Sequence, residues 1–294
     1  MLQLRLHTDA ASSERIEDLL FNCGAVSISF EDAADQPILE PPIGDHPKWS
    51  NLIIQAHFIE RDAFDLACKA LEHETAIHSQ IELAQIDNQG WQEKFQQLFT
   101  AMQFGSLWIY PSWENNPCPD GTSLQLDPGL AFGTGHHPTT YLCLESLSQM
   151  ALQNKKVIDF GCGSGILALS AYLLGAQHVY AVDIDPQAIT ASIDNARRNQ
   201  LSLEALTIGT PDELNGIQTQ IIMANILAAP LIQLRDELIK HLLPQGTLLL
   251  SGILDEQTDA IIEHYSRYCD YQQSYSKAGW SAICLTLKSN LIIN

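Results

Sequence analysis

The alternation of apolar and polar positions predicts a small α+β domain in the first third of the chain. Leu2, Leu4 and Leu6 alternate with polar residues as in a half-buried strand, and an apolar helical face follows as far as Gly24. The next elements read strand, strand, helix and strand, at residues 26–30, 52–59, 62–73 and 81–86. This order is the split βαβ pattern of a ferredoxin-like domain over residues 1–86.

A linker helix and a second domain are predicted after this unit. Apolar side chains recur at helical spacing within residues 87–104, at Trp91, Phe95, Leu98, Phe99 and Met102. From residue 105 short strands and glycine turns appear, and after Pro138 strands alternate with helices. The alternation predicts a doubly wound, mostly parallel α/β sheet in residues 105–294, with ligands at the carboxyl ends of its strands.

The charge balance bears on the choice of partner. The formal net charge is −20, which would repel the phosphates that supply most of the affinity for nucleic acid. A basic protein partner is more compatible with this charge, especially for residues 1–86, which hold five Lys and Arg against fifteen Asp and Glu. The alternative is that acidity only keeps the protein soluble.

Cysteine usage and hydropathy predict a cytoplasmic protein. The seven cysteines are odd in number and none lies in a C-x-x-C pair, so neither a disulfide framework nor a zinc site is indicated. The chain has no run of about 18 apolar residues and no secretory leader pattern at its start. We therefore expect no membrane association and a reducing compartment. We also expect a monomer, although neither of these observations bears on the oligomeric state.

A glycine-rich turn is the strongest chemical signal. The apolar strand at residues 156–160 ends in a G-x-G-x-G turn formed by Gly161, Gly163 and Gly165. Glycines let the backbone approach a ligand that a Cβ would push away. A dinucleotide fingerprint would need a further glycine at the position of Ile166, so no pyrophosphate site is completed. This favours S-adenosylmethionine as cofactor, whereas the turn alone could be an ordinary tight turn.

An acid follows the next predicted strand at a spacing suited to ribose. Asp183 ends the strand at residues 179–183 and lies 20 residues after Gly163, where a carboxylate can accept hydrogen bonds from both ribose hydroxyls. Asp185 is placed to cap a helix that begins at Pro186. Together, the turn and Asp183 favour a nucleoside-binding site.

Asn225 is the predicted contact to the substrate. It ends the strand at residues 221–225, where its carbonyl oxygen could accept a hydrogen bond from a substrate amine. The alternative is that Asn225 is a turn residue that caps a helix starting near Ala228.

A loop rich in glycine and hydroxyl residues completes the candidate site. Residues 126–140 contain three glycines and end in Thr139 and Thr140 at the start of a predicted helix, which suggests a loop that folds over a ligand. His136 and His137 are adjacent and lack the i, i+4 spacing of a helical zinc pair, so no metal is predicted.

Four segments together resemble one family. The sequences VIDFGCGSGILAL, AVDIDPQAI, LDPGLAFGTGHHPTT and ANILAAPL are similar to those of the bacterial ribosomal protein L-eleven methyltransferases, which are class I S-adenosylmethionine-dependent enzymes. The resemblance covers the whole chain. It implies methylation, up to trimethylation, of lysine ε-amines and an α-amine of ribosomal protein L-eleven, free or on the large subunit. It also implies cofactor contacts at Thr140, Gly161, Asp183 and Asn225, a substrate-recognition role for residues 1–86, and a catalytic role for Asn225.

Three other functions remain open from the residues alone. The first is an N-methyltransferase that acts on RNA or on another translation-related protein, since such enzymes can also carry an Asn after the fourth strand of the catalytic sheet. For RNA, a base would need an aromatic face for stacking, and Ile226, Leu227 and Ala228 offer none. A nicotinamide-dependent oxidoreductase is disfavoured by Ile166. A non-catalytic module that only binds the cofactor is the third alternative.

Overall fold

A computed structural model of the chain describes residues 2–33, 49–71, 82–85, 99–127 and 135–289. The chain divides into two compact units, residues 1–97 and 98–294. The division falls inside the predicted linker helix at 87–104. Residues 87–98 of that helix lie outside the described residues.

The first unit contains one antiparallel sheet and two helices. Its elements are β1 (Leu2–Asp9), α1 (Ala10–Asn22), β2 (Ser27–Asp32), β3 (Asn51–Phe58), α2 (Arg61–Leu71) and β4 (Glu82–Gln85). The strand order is β2-β3-β1-β4, and each neighbouring pair is antiparallel. This is the order of a ferredoxin-like sheet, which confirms the predicted α+β unit.

The core of the first unit lies between its sheet and its helices. The inward residues of β1 and β3 alternate along each strand, and they pack with the apolar faces of α1 and α2 at Leu4, Leu6, Leu52, Ile54, Ile16 and Phe64. Asp9 caps α1, since its carboxylate accepts from the Ser12 N–H at 2.8 Å. The opposite face of the sheet is polar and carries an Arg5–Glu31 ion pair at 3.2 Å.

The second unit opens with a small sheet that corrects part of the linker prediction. Its strands are β5 (Met102–Phe104), β6 (Leu107–Tyr110) and β7 (Thr122–Gln125). The predicted helix is therefore wrong over its last residues. Gly105, at φ 57°, turns the chain so that Phe104 pairs with Leu107, and strand pairing replaces helical hydrogen bonds.

A seven-stranded sheet forms the centre of the second unit. Its strands are β8 (Lys156–Phe160), β9 (His178–Val182), β10 (Leu206–Gly209), β11 (Thr219–Asn225), β12 (Leu242–Leu254), β13 (Cys269–Lys277) and β14 (Trp280–Leu287). The order is β10-β9-β8-β11-β12-β14-β13. The strands from β10 to β12 are parallel, and β14 is antiparallel to both of its neighbours. The predicted doubly wound, mostly parallel sheet is confirmed.

Helices cover both faces of this sheet. They are α3 (Pro138–Ser148), α4 (Ile166–Leu173), α5 (Pro186–Arg198), α6 (Ala228–Gln233), α7 (Arg235–Lys240) and α8 (Thr258–Tyr265). Successive residues of β8, such as Val157 and Ile158, enter the two separate cores on the two faces. Burial on both sides explains why these strands are apolar without alternation. The strand order reverses at β8, between β9 and β11, which opens a crevice at their carboxyl ends.

Candidate active site

A cavity of about 570 Å³ lies at the carboxyl ends of β8, β9, β11 and β12. All five residues that the sequence predicts for the site line it: Thr140, Gly161, Gly163, Asp183 and Asn225. The parallel strands bring Gly161, Gly163, Asp183 and Asn225 together, and the start of α3 adds Thr140, so residues spread over 85 positions of the chain meet in one cavity. Most of the surrounding wall is apolar, with Phe160, Ile166, Leu167 and Leu227 among its residues.

The glycine turn shapes the floor of the cavity. Gly161 and Gly163 have φ angles of 78° and 54°, a region that L side chains rarely adopt. A Cβ on Gly161 would also lie 2.5 Å from Cγ2 of Ile226. The turn therefore requires glycine both for its conformation and for its close approach to the segment after β11.

Asp183 is held in a fixed orientation beside this turn. Its Oδ2 accepts from the Gly163 N–H and its Oδ1 accepts from the Asp185 N–H, each at 3.0 Å. A carboxylate has about four lone-pair positions, so both oxygens can still accept from a ligand. Asp185 caps α5 through a 2.8 Å bond from the Gln187 N–H, as predicted.

Asn225 and Thr140 form a pair on the other side of the cavity. The Asn225 amide Nδ2 donates to the Thr140 hydroxyl at 3.2 Å, and Thr140 is fully buried. The Asn225 carbonyl oxygen Oδ1 is also buried and has no hydrogen-bond partner among the described residues. The alternative role as a helix cap is wrong, because Leu227 occupies the N-cap position of α6. A buried acceptor without a donor is costly unless a ligand supplies one.

Asp159, at the carboxyl end of β8, is a buried carboxyl group near the site. It is 1% exposed, and its Oδ2 accepts from the Ala168 N–H at 3.0 Å. Burial, with a smaller contribution from the nearby Asp183 charge, raises the pKa of Asp159 to about 7. The group is therefore poised between its neutral and charged forms at physiological pH.

The two adjacent histidines have different surroundings. His137 lines the cavity, caps α3 and lies 2.8 Å through Nδ1 from the Thr139 hydroxyl. Its ring packs edge-on against Trp280, with centroids 5.2 Å apart, and burial lowers its pKa. His136 instead packs against Phe99 at 4.9 Å.

Several lining residues have no counterpart among the sequence predictions, and Trp280, Gly252 and Ile184 are examples. Trp280 and Gly252 reach the cavity from β14 and β12, and no local motif marks either of them. Ile184 lines it too and is 85% exposed. The only feature of the sequence that could have indicated Ile184 as a lining residue is its position directly after Asp183.

Neither a metal site nor a membrane span emerges from the described residues. No group of three or more His, Cys, Asp or Glu side chains in those ranges could hold a metal ion. Within the same part of the chain, no helix has the length and apolar character needed to cross a membrane.

The fold and the cavity define a class I methyltransferase, with a glycine turn after β8 and an acid after β9. The family described as Ribosomal protein L11 methyltransferase (PrmA) matches residues 1–288. A Ribosomal protein L11 methyltransferase from Hahella chejuensis is 44% identical, over 96% of this chain and 97% of that protein. One from Shewanella amazonensis is also 44% identical, over 98% and 99%. The chain belongs to the ribosomal protein L11 methyltransferase family.

A solved structure supports the same conclusion. The crystal structure of ribosomal protein L11 methylase from Lactobacillus delbrueckii subsp. bulgaricus has 31% sequence identity to this chain and a TM-score of 0.58. It matches 65% of this chain and 100% of that one.

Proposed function

We propose that this enzyme transfers methyl groups from S-adenosylmethionine to amines of ribosomal protein L11, namely lysine ε-amines and an α-amine, up to the trimethyl state. The observation that carries the proposal is the buried carbonyl oxygen of Asn225, a residue that lines the cavity beside the glycine turn; this oxygen has no donor among the described residues. A neutral amine has the N–H group that this oxygen needs. Because the proposed substrate is a ribosomal protein, we propose the cytoplasm as the site of the reaction.

The residues present fit S-adenosylmethionine. Gly161 and Gly163 present backbone without a side chain to the cavity, and Asp183 keeps acceptor capacity for two ribose hydroxyls. Thr140 and Asn225 would contact the cofactor near its reactive end. When bound, S-adenosylmethionine supplies a methyl group already activated by a positively charged sulfur.

The protein has to supply a neutral amine in the correct position. A lysine amine has a pKa near ~10.4 in water and must lose a proton before it can react. An apolar wall disfavours the charged ammonium and so lowers the cost of that step. Asn225 Oδ1 accepts one N–H of the neutral amine, which leaves the nitrogen lone pair free to attack the methyl group. Alignment of this kind can account for several kcal/mol of a barrier.

Successive methylations change what Asn225 can do. A neutral primary amine has two N–H groups, a monomethyl amine has one, and a dimethyl amine has none. The Asn225 acceptor therefore assists the first two transfers. The third depends on the apolar lining, including Ile226 and Trp280.

Residues 1–86 act in this proposal as the substrate-recognition domain, and residues 87–104 as the linker. The described helices of this domain carry acidic side chains on their outer surfaces, at Glu14, Asp18, Asp62 and Asp65. Complementary charge on a basic ribosomal protein would speed association.

Labelled S-adenosylmethionine tests the proposal. The enzyme is incubated with purified L11, with ribosomal protein fractions and with ribosomal RNA, and the labelled product is identified. We expect label in the amines of L11 and a large loss of labelling with Asn225→Ala. Label in RNA instead of protein would overturn the substrate assignment.

A further inference from the structure

Strand β12 carries a bulge next to the Thr140–Asn225 pair. Ser251 is paired with Asn225 of β11, and it is also paired with Ala282 of β14. The register against β14 then shifts between Ser251 and Ile253, so Gly252 is the extra residue. Its φ angle is 84°, and it lines the cavity.

Gly252 is packed directly against backbone atoms of the segment after β11. A Cβ at this position would lie 2.3 Å from the Ile226 carbonyl oxygen, 2.6 Å from its carbonyl carbon and 3.1 Å from its nitrogen. Backbone atoms cannot rotate away as the end of a side chain can. Any side chain at Gly252 must therefore displace Ile226, and with it the neighbouring Asn225.

Ser251 contacts the other half of the pair. Its buried hydroxyl donates to the Ser281 carbonyl oxygen at 2.9 Å and lies 3.4 Å from the Thr139 carbonyl oxygen. Thr139 directly precedes Thr140 at the start of α3. Two consecutive residues of one bulge thus touch the backbone segments that carry Thr140 and Asn225.

We propose that the Ser251–Gly252 bulge is a positioning element that sets the Thr140–Asn225 geometry and so aims the Asn225 carbonyl oxygen at the substrate amine. The inference rests on the proposed function, in which that oxygen accepts from the amine. The Asn225–Thr140 bond is already at the upper end of normal length, 3.2 Å, so a displacement of about half an ångström breaks it. Misplacement of a reacting group by about 1 Å can lower a rate about 100-fold.

Gly252→Ala is the direct test, and Gly216→Ala is its matched control. Gly216 has a similar φ of 74°, but a Cβ there meets nothing within 4 Å, and it does not line the cavity. Both variants carry the backbone strain of a side chain at positive φ. We expect Gly252→Ala to lower kcat by about 10- to 100-fold with cofactor affinity close to that of the parent. Gly216→Ala should keep the parent kcat.

The position of Asn225 can be read without catalysis. In enzyme isotopically labelled at asparagine nitrogen, the side-chain amide signal of Asn225 is identified by its absence in Asn225→Ala. We expect this signal to move in Gly252→Ala and to stay in place in Gly216→Ala. Equal kcat and an unmoved signal in Gly252→Ala would overturn the inference.

Two further variants separate the possible failures. Ser251→Ala keeps the backbone and removes the hydroxyl, so it can replace Gly252→Ala if that variant does not fold. We expect the Asn225 amide signal to move in Ser251→Ala and kcat to fall less than in Gly252→Ala. An unmoved signal in Ser251→Ala would then refute the inference. If Asn225→Ala itself keeps the parent turnover, the proposed function of Asn225 is wrong, whereas the amide signal still decides whether the bulge positions this side chain.

Discussion

Replacing the buried Asp159 by asparagine should make the free energy of unfolding less dependent on pH. In the folded state its pKa is raised from the usual 3.8 to about 7 because the carboxylate is desolvated. The folded protein therefore binds this proton more tightly than the unfolded chain does. The resulting stabilisation is fully present below pH ~3.8 and is lost as the pH rises through about 7.

The size of the effect follows from the two pKa values. At roughly 1.4 kcal/mol per pKa unit, the change from 3.8 to about 7 corresponds to about 4 kcal/mol. The asparagine carbonyl oxygen can still accept from the Ala168 N–H. Its NH2 group replaces the second carboxylate oxygen, which has no hydrogen-bond partner among the described residues. An unsatisfied buried amide costs about 1–3 kcal/mol. Above pH 8 we therefore expect Asp159→Asn to be more stable than the parent by about 1–3 kcal/mol.

Chemical denaturation from pH 4.5 to 8.5, followed by tryptophan fluorescence, measures this difference. Subtracting the parent from the variant at each pH removes the contribution of all other titrating groups. Asp185→Asn is the control for an exposed position, since asparagine is an equally good helix cap. A difference between Asp159→Asn and the parent that stays constant over this range would refute the reasoning.

Three further predictions concern the cofactor, the amine and the recognition domain. Asp183→Ala should weaken S-adenosylmethionine binding by roughly ten- to hundredfold, because it removes a charge-assisted hydrogen-bond acceptor, and unchanged affinity in calorimetry would contradict the ribose assignment. Asn225→Ala should lower turnover more than cofactor affinity, and initial rates compared with a cofactor titration decide this; equal losses would make Asn225 a cofactor contact only. Neutralising Glu14, Glu17 and Asp18 on α1 to the matching amides should slow association with L11 several-fold at low salt, as measured by stopped flow. The difference should shrink as salt rises, and a difference independent of salt would argue against a charge-based docking role.

The sequence by itself determined the parts of this protein that depend on local chain conformation. The G-x-G-x-G turn requires positive φ angles at Gly161 and Gly163. Only glycine adopts such angles easily, so the turn can be predicted from the sequence. The strand-end position of Asp183 follows from the apolar run before it. Because the carboxyl ends of parallel strands meet at one edge, the grouping of Asp183 and Asn225 in one cavity was predictable as well.

Tertiary structure alone decided the features that depend on contacts distant in sequence. The Asn225–Thr140 bond joins residues 85 positions apart, and it leaves the buried Asn225 carbonyl oxygen without a donor among the described residues. The bulge at Gly252 depends on packing against Ile226, and Trp280 reaches the cavity from the strand that runs antiparallel to the rest. At Met102–Phe104, apolar spacing favoured helix, but pairing with β6 satisfied the backbone as a strand. Local patterns record which conformations a segment can adopt, whereas these outcomes follow from which neighbours the folded chain supplies.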